Sequence, residues 1–539
     1  MNKKDINYYL AILIIINIVS LIGKTLEDIN QINKFRLMRI FQGEEKQYFL
    51  GRSIESLGDI NNDGFSDFAI GVPGANDEKG RIDIYYGNSN PDSIKRKTLN
   101  GNILWNNFSK INNIGDINRD GNTDILIGSL DSKNIYSYCH IYSGNDTGWF
   151  EYRKSIVGEE SYDGFGAFSG SGDFNGDGYS DFIIGAPNFD HQRGKVYIYL
   201  GSDTIPDQPY LTIQGDSSLS CFAGSVAGVG DVNNDGYDDF VVGAPIGDPE
   251  GIINAGYFKL YLGGVEIDTT PFIELSGYRE YQGMGRTFCS GFFNGDTIRD
   301  FIVGSDGEAY LFFGSRDIDS TPDFIFGTPE LPLGYLSYAG DINNDGYDDF
   351  LSSNPFYGYN NGYVDIYLGS QSFDTLFDYR IHGEWASYFG WTISTAGDVN
   401  CDGLDDFLIG EPHYFLGIQN QGRVYLYSGD STLIRIDDSD NDSNIPKSFQ
   451  ILGNYPNPFN DTTTIQYSVT NRGIYYINIY NISGQLVFQK KKVHNAPGKY
   501  TMTWNGIDGR GNGVSSGIYL VSISYEANQC NPIKIVLLK

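Results

Sequence analysis

Proline is scarce in this chain, 18 residues against 68 glycines in 539, and cysteine and histidine are scarcer still, at five each. The cysteines, at 139, 221, 289, 401 and 530, are odd in number and show no paired spacing, which argues against a disulfide framework and leaves small buried residues as the reading. His140, His191, His382, His413 and His494 are scattered, and none lies in a metal-ligand or nucleophile motif. No Gly-x-Ser-x-Gly, His-Glu-x-x-His or phosphate-loop pattern occurs, so the sequence gives no enzyme signature. Basic residues are few, 37 Lys plus Arg against 68 Asp plus Glu, for a net charge of −31. With no basic run beyond Lys490–Lys492, nucleic acid and anionic membrane are poor partners.

Long apolar runs are also missing after the N-terminus. There, Met1-Asn-Lys-Lys4 precedes an apolar stretch over residues 10–22, shorter than the roughly 20 residues a membrane span needs. Residues 1–23 therefore read as a secretory signal peptide, with no transmembrane segment left after its removal. What remains is 40% apolar and 15% aromatic, a composition suited to several hundred residues of short strands and tight turns around a large core.

The most informative feature is Asp-x-Asn-x-Asp-Gly-x-x-Asp, which occurs six times. In each copy, side chains at positions 1, 3, 5 and 9 and the backbone carbonyl at position 7 offer oxygens to a hard cation, most suitably Ca²⁺. The expected ligands are Asp59, Asn61, Asp63, Phe65 and Asp67 in the first copy and Asp116, Asn118, Asp120, Asn122 and Asp124 in the second. The next two contribute Asp173, Asn175, Asp177, Tyr179 and Asp181, then Asp231, Asn233, Asp235, Tyr237 and Asp239. The last two contribute Asp341, Asn343, Asp345, Tyr347 and Asp349, then Asp398, Asn400, Asp402, Leu404 and Asp406. Position 6 is always Gly, because the chain turns sharply there. About six Ca²⁺ ions are expected, as architectural clips, and they would bring the net charge from −31 to −19.

An EF-hand is ruled out. Its position 12 needs a bidentate Glu, whereas this chain has Ile70, Ile127, Ile184, Val242, Ser352 and Ile409. Each loop runs into a short apolar segment such as Asp239-Phe-Val-Val-Gly243, rich in aromatic and β-branched residues, which predicts a strand rather than a helix. Dockerin-like modules fail for the same reason. A degenerate further copy stands at 292–300, where Phe292 replaces the first Asp and Thr297 the turn Gly; it is expected not to hold Ca²⁺ tightly. With it the copies recur at a period near 57 residues, one unit repeated because no unit buries its apolar face alone. Each unit reads as four strands, and seven such units fit a propeller.

The words Tyr388-Phe-Gly390, Gly185-Ala-Pro187 and Gly243-Ala-Pro245 around these loops resemble the FG-GAP repeats of the integrin α-subunit seven-bladed propeller, over residues 34–436. The resemblance implies that the Ca²⁺ loop joins the first two strands of a blade and that partners bind on the opposite face. It also implies closure, with Phe35–Gly43 supplying the missing strand beside Arg423–Tyr427. Residues 437–447 form an acidic run that reads as a linker. Beyond it, residues 448–539 alternate as strands do, predicting a β-sandwich. Asn454-Tyr-Pro-Asn-Pro-Phe-Asn460, Gly484-Gln-Leu-Val487, Thr503-Trp-Asn-Gly506, Ser516-Gly-Ile-Tyr519 and the ending Lys534-Ile-Val-Leu-Leu-Lys539 resemble the C-terminal sorting domain of type IX secretion substrates. That resemblance implies an immunoglobulin-like domain read by secretion machinery.

The expected fold class is thus all-β, a seven-bladed β-propeller followed by a small immunoglobulin-like β-sandwich. The expected function is a non-catalytic, exported Ca²⁺-binding protein, secreted or held at the outer cell surface, that binds a protein or glycan. Two other classes stay open: a secreted hydrolase or lyase acting on polysaccharide or phospholipid, and a structural surface-layer component. Fold alone does not choose among them.

Overall fold

The computed structural model describes residues 35–44, 48–101, 106–130, 135–327, 334–371, 373, 375–384, 386–414, 420–433, 450–455, 462–469, 473–482, 485–494, 498–510, 512–525, 528–530 and 532–537. The expected signal peptide at 1–23 and acidic linker at 437–447 lie outside the described residues, as does most of Asn454–Asn460. The chain divides into two compact units, Met1–Arg435 and Ile436–Lys539.

Among the described residues the first unit holds seven four-stranded antiparallel sheets, an arrangement consistent with a β-propeller. Ile54–Gly58, Asp67–Val72, Arg81–Tyr86 and Lys95–Asn100 make the first sheet, and the same strand order recurs in the next five, with longer strands only in the second, up to the 13 residues of Trp149–Ser161. Thr392–Gly397, Asp406–Glu411 and Arg423–Tyr427 begin the last one. Its fourth strand comes from the other end of the unit: Leu37–Gln42 pairs with Arg423–Tyr427, with Phe41 opposite Val424. The expected closing strand is therefore present, and it covers an edge that would otherwise offer unpaired N–H and C=O groups. First strands pack beside first strands of neighbouring sheets, and Thr392–Gly397 packs beside Ile54–Gly58, so the series closes on itself.

Second strands such as Asp239–Ala244 are buried at every residue, because neighbouring sheets cover both their faces. That is why they read as continuous apolar runs rather than alternating ones. Close approach explains the glycine in the recurring Gly-Ala-Pro word. A Cβ on Gly243 would stand 1.9 Å from the Gly285 carbonyl oxygen of the next sheet. Stacked ring pairs tie second to third strands, with Phe240 and Tyr261 centroids 5.2 Å apart and Phe350 and Tyr367 4.6 Å apart. Fourth strands are partly exposed, and Ile273–Ser276 alternates more buried with exposed residues.

In the second unit, Gln450–Tyr455, Thr463–Val469 and Gly498–Trp504 form one sheet. Leu486–His494, Gly473–Asn481, Gly517–Tyr525, Asn528–Gln529 and Ile533–Leu537 form another. Ile465, Tyr467 and Trp504 from the first share one core with Tyr475, Ile477, Val521 and Ile535 from the second. No helix among the described residues is long and apolar enough to cross a membrane.

Candidate metal centres

Each intact loop connects the first strand of a sheet to the second, so all six are built on the same pair of hydrogen-bonded strands. In the first, the Asp63 N–H donates to Asp59 Oδ1 at 3.0 Å and the Gly64 N–H to Asp59 Oδ2 at 2.8 Å. The same two bonds recur on Asp116, Asp173, Asp231, Asp341 and Asp398, all between 2.8 and 3.1 Å. Position 6 takes a left-handed φ, from +86° at Gly178 to +96° at Gly236. At Gly236 an added Cβ would meet nothing within 4 Å, so backbone conformation, not space, dictates glycine.

The ninth-position carboxylates, Asp67, Asp124, Asp181, Asp239, Asp349 and Asp406, are fully buried. Asp67 Oδ2 accepts the Ile60 N–H at 3.2 Å, and its Oδ1 accepts the Gly87 N–H at 2.8 Å, which pins the loop to the turn after the third strand. Burial pushes the carboxyls of Asp67, Asp124, Asp181 and Asp239 up to about 7 and that of Asp406 to about 8. In five of these six loops the charges at positions 1 and 5 add to the rise, so the three carboxylates of one loop feel one another; at Asp124 only Asp120 contributes. A divalent cation acts in the opposite sense, favouring the charged forms.

Does the donor set fit Ca²⁺? It is all oxygen, three carboxylates and an amide carbonyl per loop, on a backbone turned back on itself, which is what a hard cation requires. Each carboxylate oxygen has two lone pairs, and the bonds above leave acceptor capacity on both oxygens of Asp59 and Asp67. Among the described residues, however, no group of three or more His, Cys, Asp or Glu stands in metal-holding geometry. The loops hold their carboxylates on backbone N–H groups instead. Asn400 departs from its equivalents, because its amide donates to Asp406 Oδ2 at 3.4 Å and to Met38 Sδ at 3.4 Å.

The degenerate loop at 292–300 lacks this frame. The Phe292 side chain supplies no acceptor, and its ring carries the Arg299 guanidinium at 4.6 Å. Thr297 is not among the residues with positive φ, so the tight turn is absent too. Asp300 keeps its structural bonds, accepting the Gly314 N–H at 2.9 Å.

Sequence reasoning missed a contact between successive loops. The position 8 N–H donates to the position 1 carbonyl of a neighbouring loop: Ser66 to Asp398, Ser180 to Asp116, Asp238 to Asp173, Asp348 to Phe292 and Asp405 to Asp341. Where position 8 is Asp, the bond is returned, as Asp238 Oδ2 accepts the Asp173 N–H at 2.8 Å and Asp405 Oδ2 the Asp341 N–H at 3.0 Å. The recurring Asp-Asp at positions 8 and 9 was the available signal. Among the histidines, His140 is buried with Ser129 Oγ and Ser155 Oγ each 2.7 Å from a ring nitrogen, and burial lowers it to about 4. Among the described residues the five cysteines form no disulfide.

The FG-GAP repeat family matches residues 51–85, 165–199, 222–258, 333–367 and 389–427, and the secretion system C-terminal sorting domain matches 454–537. The second sheet falls outside those five segments although its loop is intact. Integrin alpha-5 of Xenopus laevis is 28% identical over 216 residues, 39% of this chain and 20% of that protein. Integrin alpha-V of Gallus gallus is 32% identical over 214 residues, 36% of this chain and 20% of that protein. Phosphatidylinositol-glycan-specific phospholipase D of Bos taurus is 30% identical over 206 residues, 32% of this chain and 24% of that enzyme. The chain thus spans about a fifth of the length of the curated relatives it matches. Of solved structures, PorZ of Porphyromonas gingivalis, described as a bacterial surface component of the type IX secretion system, aligns at a TM-score of 0.36 and 13% identity, covering 90% of this chain and 59% of that one. A likeness that loose leaves the reading to this chain's own residues. The chain thus carries five FG-GAP repeats similar to those of integrin α subunits and a secretion system C-terminal sorting domain, which marks it as a secreted or cell-surface-attached protein.

Proposed function

We propose that the first unit is a seven-bladed propeller clipped by about six Ca²⁺ ions, and that it binds a ligand on the face away from the loops without chemical turnover. The observation that carries this is the sixfold repetition of one loop frame, with the same bonds on position 1 and the same buried carboxylate at position 9. Asp59, Asn61, Asp63, the Phe65 carbonyl and Asp67, with their five equivalent sets, would hold the ions. Bound Ca²⁺ supplies charge neutralisation that lets crowded carboxylates stay ionised. The residues themselves fix the turn and, through Gly87 and its equivalents, join it to the third strand.

The second unit is, in this proposal, an immunoglobulin-like sandwich read by type IX-like secretion machinery, while the propeller is the delivered part. Adhesion or ligand binding accords with the absence of any nucleophile or acid-base motif in the sequence and with the locked His140. Equilibrium dialysis of the purified full chain with ⁴⁵Ca²⁺, at millimolar free calcium and neutral pH, tests the metal reading. About six ions per chain is the expected result, and fewer than three would overturn it.

A further inference from the structure

Two cations on the face away from the loops have no acidic partner among the described residues. Arg52 stands just before Ile54–Gly58, at the end of that strand remote from its loop, and is exposed. Its guanidinium lies 5.1 Å from the centroid of the Trp391 ring. Lys110 lies within the first strand of the second sheet, Asn106–Gly115, opposite Gly128, with Nζ 3.9 Å from the Phe168 centroid. The Ile111 N–H donates to Ser53 Oγ at 3.2 Å, and Thr392 Oγ1 donates to the Gly51 carbonyl at 2.6 Å. Lys110, Arg52 and Trp391 therefore share one level on three neighbouring first strands. Burial lowers the Lys110 ammonium to about 8, and the Arg52 charge adds to the effect, so an anion placed here relieves both.

Aromatic rings continue outward from this point. Trp391 lies 5.8 Å from Phe356, which is half exposed, and the adjoining turn carries Tyr359 at 88% exposure. Asn360 follows Tyr359 in the chain, its amide donating to the Tyr388 hydroxyl at 2.9 Å. We propose that this mouth binds an acidic polysaccharide, with Arg52 and Lys110 holding its carboxylate or sulfate groups and the rings of Phe356 and Tyr359 lying against its sugars. Charge complementarity selects the occupant. In a protein of net charge −31, two unpaired cations beside one another are a local exception, and a guanidinium suits planar or tetrahedral oxyanions. The overall charge gives an acidic partner no long-range attraction, so affinity rests on short-range contacts, and a polymer repeats them.

The inference rests on the reading that the ligand face is the one away from the loops, and its test separates the two. The full chain in millimolar Ca²⁺ is titrated with hyaluronate, dextran sulfate and unmodified dextran, followed by calorimetry at low and high salt. Wild type is expected to bind at least one acidic polymer in a salt-sensitive way and to ignore dextran; which polymer binds distinguishes carboxylate from sulfate. Arg52→Ala should weaken binding at least tenfold with an unchanged melting temperature, and Tyr359→Ala severalfold. Lys110→Met should behave like Arg52→Ala if it folds, and the exposed Arg52 keeps the test decisive if it does not. Asp296→Asn, in the degenerate loop, should leave polymer affinity unchanged. Binding of neither acidic polymer overturns the inference and leaves the calcium reading standing. Dextran bound as well as the acidic polymers, with sensitivity to Tyr359→Ala alone, keeps the face and overturns the anionic site. Binding lost in Asp177→Asn and kept in Arg52→Ala would put the polymer on the cation loops and overturn both.

Discussion

Removing Ca²⁺ should lower the melting temperature of the propeller by a calculable amount, and one loop should account for a calculable share. A site at 100 times its dissociation constant stabilises the folded state by about 2.7 kcal/mol, so six amount to about 16 kcal/mol. A unit of roughly 400 residues unfolds with an entropy of about 0.8 kcal/mol per kelvin, which converts those figures to about 20 °C for all sites and about 3 °C for one. The matched pair that isolates a single loop is Asp177→Asn and Asp296→Asn. Both carboxylates occupy position 5, both are exposed, and each accepts one following N–H, from Tyr179 at 3.0 Å and from Ile298 at 2.8 Å. Only Asp177 belongs to a loop with an acidic position 1. Differential scanning fluorimetry with and without chelator should show Asp177→Asn losing about 3 °C in Ca²⁺ and nothing in chelator. Asp296→Asn should match wild type in both. A wild-type melt unmoved by chelation, or equal losses from the two variants, would refute the argument that these loops hold metal.

Gly236→Ala forces an L-residue to φ +96° with no steric obstacle, so it should cost about 1–2 kcal/mol of conformational energy, read as a lower urea midpoint at unchanged slope. Gly243→Ala places a Cβ 1.9 Å from the Gly285 oxygen and should cost more than Gly236→Ala in the same titration. Phe41→Ala empties the seat between Phe68 and Tyr85, at 5.5 and 4.5 Å, and should cost about 3–5 kcal/mol while exposing the closing strand to proteolysis. Glu411 is buried, and burial raises its carboxyl from 4.5 to about 7. The folded state then keeps a proton that the unfolded chain has lost, so this group's contribution to stability falls as pH rises from 4.5 to about 7. Glu411→Gln, which still accepts from Tyr425, should flatten that slope by about 3 kcal/mol in denaturant titrations across the range.

Much of the first unit's sheet series was legible because its determinants are local and repeated. Gly at position 6, Asp at positions 1, 5 and 9 and the apolar run after them recur at a nearly constant interval, and each answers a constraint inside one hairpin. The closing strand was legible for a similar reason, since Leu37–Gln42 resembles a fourth strand without its sheet. Contacts between sheets were not legible. The bond from Asp238 to Asp173 depends on how one hairpin is set beside another, and nothing in either loop specifies the partner. The meeting of Arg52 with Trp391 joins the two ends of the unit and exists only because the ring of first strands closes. Position 9 was expected as a ligand from its chemistry, but its second task, holding the N–H of Gly87 and its equivalents, needed the third strand in place.

These two kinds of contact divide the labour between the faces. On the loop face, burial and mutual repulsion make the carboxylates unfavourable when charged, so any cation that binds there is coupled to folding. Position 8 extends that coupling sideways: the Asp173 backbone is held by Asp238, so order in one loop is felt at the start of another. The chain of such bonds includes Phe292, whose N–H is accepted by Asp348 Oδ2 at 2.7 Å, so the degenerate loop transmits order without itself carrying the ligand set. That explains how a unit can lose its acidic position 1 and keep its place in the series. The opposite face carries none of this burden, which leaves turns such as Tyr357–Asn360 free to present exposed rings and Arg52 free to rest on Trp391 with no acidic partner among the described residues.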